Sequence, residues 1–280
     1  MVHFYGLILK YFFAAVTSFF FIFYTSDSCA RRAEYTPKTQ SRAVLVYDVG
    51  AGKTLYAKNI NSVYPIASIT KLMMAVITLD AKLPAKRIIT VKPADRDLLK
   101  KTGSRLTVGS TLNRTTMLHI ALMSSENRAA AALSRYYPHG RHAFIRNMNR
   151  KAKKYRMLRT HFSDPTGLSP ASISTAHDLL LLVKHASQYP VIRRYSTDKR
   201  LKVFTGKGSL VYKTSNGLIN NKQWKIELQK TGFTNEAGHC MVLKTTIKNR
   251  KYIFIILGAR NHYGHYADAI KLKNWLLHKR

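Results

Sequence analysis

The sequence predicts an α+β fold, an antiparallel sheet flanked by helices with a mostly helical middle. Short apolar strands open and close the chain, helical periodicity fills its centre, and a last helix follows the final strands. Of 280 residues, 46% are hydrophobic and 11% aromatic, which is enough to bury a core. No internal repeat or second long apolar run suggests a solenoid or a multispanning protein, so one compact domain is expected.

The first thirty residues stand apart. Tyr11 to Tyr24 is an uncharged run of about 14 residues, about 21 Å as a helix against a hydrocarbon core of about 30 Å. That length suits an export signal better than a span. Ser28-Cys29-Ala30 offers small residues at a signal-peptidase spacing, so residues 1–30 are expected to be a signal peptide and 31–280 the mature domain. An uncleaved anchor is the rival reading; lipidation at Cys29 is disfavoured because the usual upstream Leu is missing. Cleavage leaves Cys240 alone. It reads as a buried small residue, with adjacent His239 on the opposite face of its strand.

The mature chain begins with a hairpin, Arg42 to Asp48 and Thr54 to Ala57, turning at Val49-Gly50-Ala51-Gly52. Ser68 to Asp80 is apolar on all faces, the mark of a central helix packed on every side. Helices follow at Arg114 to Met123, Arg128 to Tyr136, Arg141 to Tyr155, and Thr175 to Ala186, the last capped by Ser174 or Thr175. After Ser187 the pattern shifts to strands at Lys202 to Thr205, Trp224 to Lys230, Cys240 to Lys248 and Lys251 to Ala259, with a tight turn at Asn249-Arg250. Tyr266 to His278 has helical spacing and packs back on that sheet.

Lys and Arg number 47 against 13 Asp and Glu, a formal charge of +34. Local concentrations lie at Lys151, Lys153, Lys154, Arg156 and Arg159, and at Arg193, Arg194, Lys199, Arg200 and Lys202. No zinc-finger spacing, RNA-recognition motif or basic heptad array accompanies them, so nucleic acid is not the expected partner. An exported polycation meets anionic envelope surfaces instead, where charge raises the encounter rate without giving chemical specificity.

The chemistry concentrates in three short motifs. In Ser68-Ile69-Thr70-Lys71 the serine sits at a helix start and the lysine one turn later on the same face. A neutral lysine amine can serve as the serine's base if burial and a neighbouring cation bring its pKa down from about 10.4 toward neutrality. A second pair at this spacing, Ser196 with Lys199, lies among charged residues and reads as a solvated loop. Ser125-Glu126-Asn127 falls between two helices, where Ser125 can relay a proton and Asn127 can bind a substrate amide, or the segment can be a plain N-cap. Glu126 reads as a solvent-facing linker. Lys230-Thr231-Gly232 ends a strand, offering a cation for a carboxylate and a glycine for close approach. Its duplicate, Lys101-Thr102-Gly103, reads as a helix stop. His262 and His265 are a lone pair without a third ligand and read as a solvated helix entry, so neither metal nor cofactor is expected.

Taken in order, Ser68 with Lys71, Ser125 with Asn127, and Lys230-Thr231-Gly232 resemble the motif set of penicillin-binding proteins and serine β-lactamases. Longer stretches narrow the resemblance: Tyr64 to Met73, Ala121 to Ala131, Asp164-Pro165-Thr166-Gly167-Leu168-Ser169, and Lys230 to Asn235 look like the small periplasmic D-alanyl-D-alanine endopeptidases of the penicillin-binding protein 7 type. The likeness runs from Ala43 to the C-terminus. It implies a β-lactamase/DD-peptidase-like fold, and the 48 residues after Gly232 leave no room for an extra C-terminal β-domain.

It also implies roles. Ser68 is the expected nucleophile, Lys71 its proton acceptor, Ser125 the relay to the leaving amine, and Asn127 the amide anchor. Lys230, Thr231 and Thr234 form a carboxylate clamp beside Gly232, and the N–H groups of Ser68 and Phe233 form an oxyanion hole. Lys230 would help keep Lys71 neutral, so Lys230→Ala is expected to raise the pKa governing acylation. The implied activity is hydrolysis of D-alanyl amide bonds in peptidoglycan stem peptides in the periplasm or cell envelope. The cross-link is favoured over the terminal D-Ala, and β-lactams would be covalent inhibitors. A productive β-lactamase is less favoured, since Asp164 is the nearest acid and no glutamate offers a deacylating base. A non-catalytic envelope protein that binds peptidoglycan or penicillin is the remaining alternative.

Overall fold

Residues 36–279 are described by a computed structural model. The expected signal peptide therefore lies outside the described residues. Among those described, no helix is long and apolar enough to cross a membrane.

The chain begins with β1 (Ala43–Asp48), β2 (Lys53–Lys58) and β3 (Tyr64–Pro65), then enters a 3-10 turn at Ala67–Thr70 that continues into α1 (Lys71–Asp80). The middle comprises β4 (Ile88–Thr90), β5 (Thr111–Asn113), α2 (Arg114–Met123), α3 (Asn127–Arg135), α4 (Gly140–Lys154), β6 (Ile173–Ser174), α5 (Ala176–Ala186) and α6 (Pro190–Thr197). It closes with β7 (Arg200–Phe204), β8 (Ser209–Lys213), β9 (Lys225–Thr234), β10 (Gly238–Ile247), β11 (Arg250–Ala259) and α7 (Gly264–His278).

Five strands form one antiparallel sheet in the order β2-β1-β11-β10-β9, with the first hairpin paired to the last through β1 and β11. Both faces of this sheet are covered. Alternate residues of β1 divide accordingly: Ala43 and Leu45 join the core toward the helical lobe, while Val44 and Val46 meet Ala269, Leu272 and Trp275 of α7. That is why the strand reads as an unbroken apolar run. On the lobe side, every residue of α1 from Leu72 to Ile77 is buried, as its all-round apolar sequence requires. Thr175 caps α5 by accepting from Asp178 N at 3.0 Å.

Four local expectations change. Ser196 is fully buried within α6, where Gln229 Nε2 of β9 donates to its carbonyl at 2.7 Å, so this stretch is a packed helix. Its charges misled because Arg194 and Lys199 face solvent while Ile192 and Ser196 face inward. Residues 96–110 contain no helix for Lys101-Thr102-Gly103 to stop. The strand from Lys225 does not end at Gly232 but runs to Thr234, so the triplet lies inside β9. The turn between β10 and β11 is Lys248-Asn249, both with positive φ, the geometry that suits a twisted two-residue hairpin.

Candidate active site

Ser68 lies in the 3-10 turn, a geometry in which residues i and i+3 eclipse, and Lys71 follows as the first residue of α1. The Lys71 ammonium donates to Ser68 Oγ at 2.8 Å, Asn127 Oδ1 at 2.8 Å and Thr166 O at 2.7 Å. All three of its donors are therefore engaged. The side chain is fully buried, and that burial brings its pKa down to about 7 against the opposing charges of Asp164 and Glu126.

These contacts dictate what a neutral Lys71 does. The Thr166 carbonyl can only accept, and Asn127 Oδ1 can only accept because its partner Nδ2 donates to Thr102 Oγ1 at 3.1 Å. Two N–H groups go to those two oxygens, so the amine lone pair is left for the one partner that can donate, the Ser68 hydroxyl.

The loop that supplies the Thr166 carbonyl is held by Asp164. Its carboxylate accepts from Thr166 N (2.6 Å), Gly167 N (2.7 Å), Ser169 N (3.1 Å) and Ser172 Oγ (3.0 Å). Gly167 has φ +81°, and a Cβ there would collide with the Ala67 carbonyl, so glycine lets the loop sit against the nucleophile turn. Ala67 itself has φ +47°, an uncommon conformation for a residue with a side chain.

Ser125 is also left-handed, at φ +60°, where the chain turns from α2 into α3. Ser125, Asn127 and Ser68 line one cleft of about 620 Å³ with Thr231, Gly232 and Phe233 on the β9 side. Gly232 approaches so closely that a Cβ would lie 2.6 Å from Ser68 N. The expected carboxylate clamp is only partly assembled. Thr231 faces the cleft and its hydroxyl lies 2.9 Å from that of Ser215, whereas Thr234 Oγ1 accepts from Ala237 N in the β9–β10 turn. Lys230 is fully buried and donates to Thr231 O at 2.7 Å; burial first and Lys71 second push its ammonium well below the usual lysine range. Burial, rather than Lys230, is thus the leading cause of the lowered Lys71.

Several residues at the cleft lay beyond sequence reasoning. Glu126 is buried, not solvent-facing: it accepts from Arg128 N at the start of α3 and from Ser104 Oγ at 2.6 Å. Thr102 of the discounted triplet lines the cleft and orients Asn127. His265, expected in a solvated helix entry, is buried beneath Tyr266, and its ring stacks on His239, which in turn stacks on Phe233 at 4.2 Å. The sequence cue for this wall was the cluster of His and aromatic residues at 262–266. Cys240 is buried as expected, and burial pushes its thiol up to about 11.

Comparison with known proteins gives a consistent picture. The D-alanyl-D-alanine carboxypeptidase family matches residues 30–261. A D-alanyl-D-alanine endopeptidase of Pseudomonas aeruginosa is 45% identical over 238 residues, covering 84% of this chain and 77% of the relative. The D-alanyl-D-alanine endopeptidase of Escherichia coli is 41% identical, covering 86% and 78%. Among solved structures, the Streptomyces K15 DD-transpeptidase superposes with a TM-score of 0.79 at 25% identity, covering 86% of this chain and 98% of that one. Penicillin-binding protein D2 of Listeria monocytogenes in its ampicillin-bound form gives 0.74 at 29% identity over 86% and 98%.

Proposed function

The chain belongs to the D-alanyl-D-alanine carboxypeptidase family, and from that premise we propose that Ser68 performs the acyl transfer of a serine DD-peptidase of the endopeptidase type acting on peptidoglycan. The observation that carries this reading is the buried Lys71 amine, held by two obligate acceptors so that its lone pair meets the Ser68 hydroxyl.

Ser68 Oγ gives its proton to Lys71 as it attacks the D-alanyl carbonyl. The N–H groups of Ser68 and Phe233 meet the oxyanion that exists only in the tetrahedral state, where one such donor is typically worth about 2.7–4 kcal/mol. Ser125 passes the proton to the departing amine, the C–N bond breaks, and an ester to Ser68 remains. Water then attacks that ester with Lys71 again as base, returning the proton to Ser68 as the acid product leaves. Asn127 anchors the substrate amide and Thr231 faces its leaving side. β-Lactams would acylate Ser68 in the same way. The opened β-lactam keeps its amine tethered beside the ester, in the way of the water that Lys71 would activate, so rapid release of that adduct needs a separate carboxylate free to activate water. Asp164 and Glu126, the acids that act on Lys71, already accept from backbone and hydroxyl donors. The mature chain from Arg31 would work in the periplasm or envelope, with its charge steering it toward anionic wall.

The test is to incubate the mature chain with a cross-linked muropeptide dimer and with a pentapeptide monomer, reading products by mass spectrometry. The dimer should fall to monomers. Loss of D-Ala from the pentapeptide alone would make the enzyme a carboxypeptidase. No product, with Ser68 still labelled by penicillin, would make it a binding protein.

A further inference from the structure

A second groove, of about 420 Å³, continues from the catalytic cleft and shares Asn127 and Leu168 with it. One bank is the segment 94–99, whose Leu98 and Leu99 are 82% and 61% exposed, and the other is α4 with Ile145. Exposed leucines are common singly, but two together on the bank of a groove that opens into an active site ask for an apolar occupant.

The polar end of the groove is unbalanced in one direction. Its acids are occupied: Asp95 by Arg135 and Arg141, Asp97 by the N–H groups of Leu99, Lys100 and Thr102, and Asp164 by its own loop. Its cations keep free donors. Arg141 spends Nη2 on Ala94 O and Asp95, but its side chain is 36% exposed and its Nη1 has no hydrogen-bond partner among the described residues, nor has the side chain of exposed Arg96. A solvent-facing guanidinium N–H without an acceptor can take a ligand carboxylate.

We propose that this groove seats the acyl-donor arm of the peptide substrate, the residues that precede the scissile D-alanyl bond, with methyl groups against Leu98, Leu99 and Ile145 and a carboxylate at Arg141. The inference rests on the peptidase reading above. It follows from continuity: Asn127 anchors the amide on the acyl side, Thr231 faces the leaving side, and the groove begins where Asn127 ends. Binding energy gathered there, away from the reacting bond, can raise kcat/KM for long substrates.

The experiment compares three substrates on the full chain: a cross-linked dimer, the same dimer with its donor arm cut back to a blocked residue before the scissile D-alanyl group, and labelled penicillin. Leu98→Ser/Leu99→Ser alters only exposed side chains. It should lower kcat/KM on the full dimer about tenfold and leave both the shortened dimer and penicillin acylation within about twofold. Arg141→Lys, which keeps a cation beside Asp95, should remove the preference for a free over an amidated carboxylate on the arm. A wild type indifferent to arm length, or a double variant that loses equally on both dimers, would overturn the groove. A wild type that cuts neither dimer while still taking penicillin on Ser68 would overturn the peptidase reading and the groove with it.

Discussion

Ser68 with Lys71 and Ser196 with Lys199 share one spacing and differ in everything that matters chemically. At the first, a 3-10 turn runs without a break into α1, so the lysine arrives one turn on from the serine and is wholly buried. At the second, α6 ends at Thr197 and Asp198 takes an extended conformation, so Lys199 leaves the helix and faces solvent. Ser196 then turns its hydroxyl to Arg193 O at 3.1 Å, an ordinary intrahelical bond. Spacing brings two groups within reach; desolvation makes one of them a base. The duplicated Lys-Thr-Gly teaches the same lesson, since a Cβ on Gly103 meets nothing within 4 Å while one on Gly232 would press on Ser68 N.

The largest effect expected is at the serines. Ser68→Ala should cut dimer cleavage by about 10⁴-fold or more and abolish penicillin labelling. Ser196→Ala should leave both rates unchanged and cost about 1 kcal/mol in denaturant unfolding, the worth of its hydrogen bonds. Equal activity losses at the two serines would erase the distinction drawn between them.

Next come the glycines. Gly232→Ala should slow acylation by about 10²–10³-fold by displacing the Ser68 N–H from the developing oxyanion. Gly103→Ala should stay within about twofold of wild type, given the open space around it. Stopped-flow acylation by a chromogenic β-lactam measures both, and a slow Gly103→Ala would mean that the 96–110 segment shapes the site more than its contacts suggest.

The smallest effect sharpens the cause of the lowered lysine. The reactive form of Lys71 is the neutral amine, so acylation should rise with pH through about 7 and then level. Because burial leads that shift, and Lys230 is itself held well below its usual range, Lys230→Met should leave the acid limb within about one pH unit of wild type. A larger upward move would restore the view that the second cation keeps Lys71 neutral.

The elements that were legible in the sequence are those whose burial is one-sided or complete. The unbroken apolar run of β1, the saturated α1 and the Thr175 cap each follow from local residue order, and the three motifs stand in the sequence before any contact is visible. The residues that misled are those whose partners lie far along the chain. Glu126 looks like a linker because Ser104, which donates to it, belongs to another segment. Thr102 looked like a helix stop because nothing near it announces Asn127. His265 looked solvated because its stacking partner His239 sits on β10.

Periodicity and residue type are enough to set the α+β order, the central helix and the residues able to do acyl-transfer chemistry. Which of two identical spacings is reactive depends instead on long-range packing. Lys71 draws its acceptors from 56 and 95 residues away, at Asn127 and Thr166, and a lysine loses its proton near neutrality only when such distant segments close over it and exclude water.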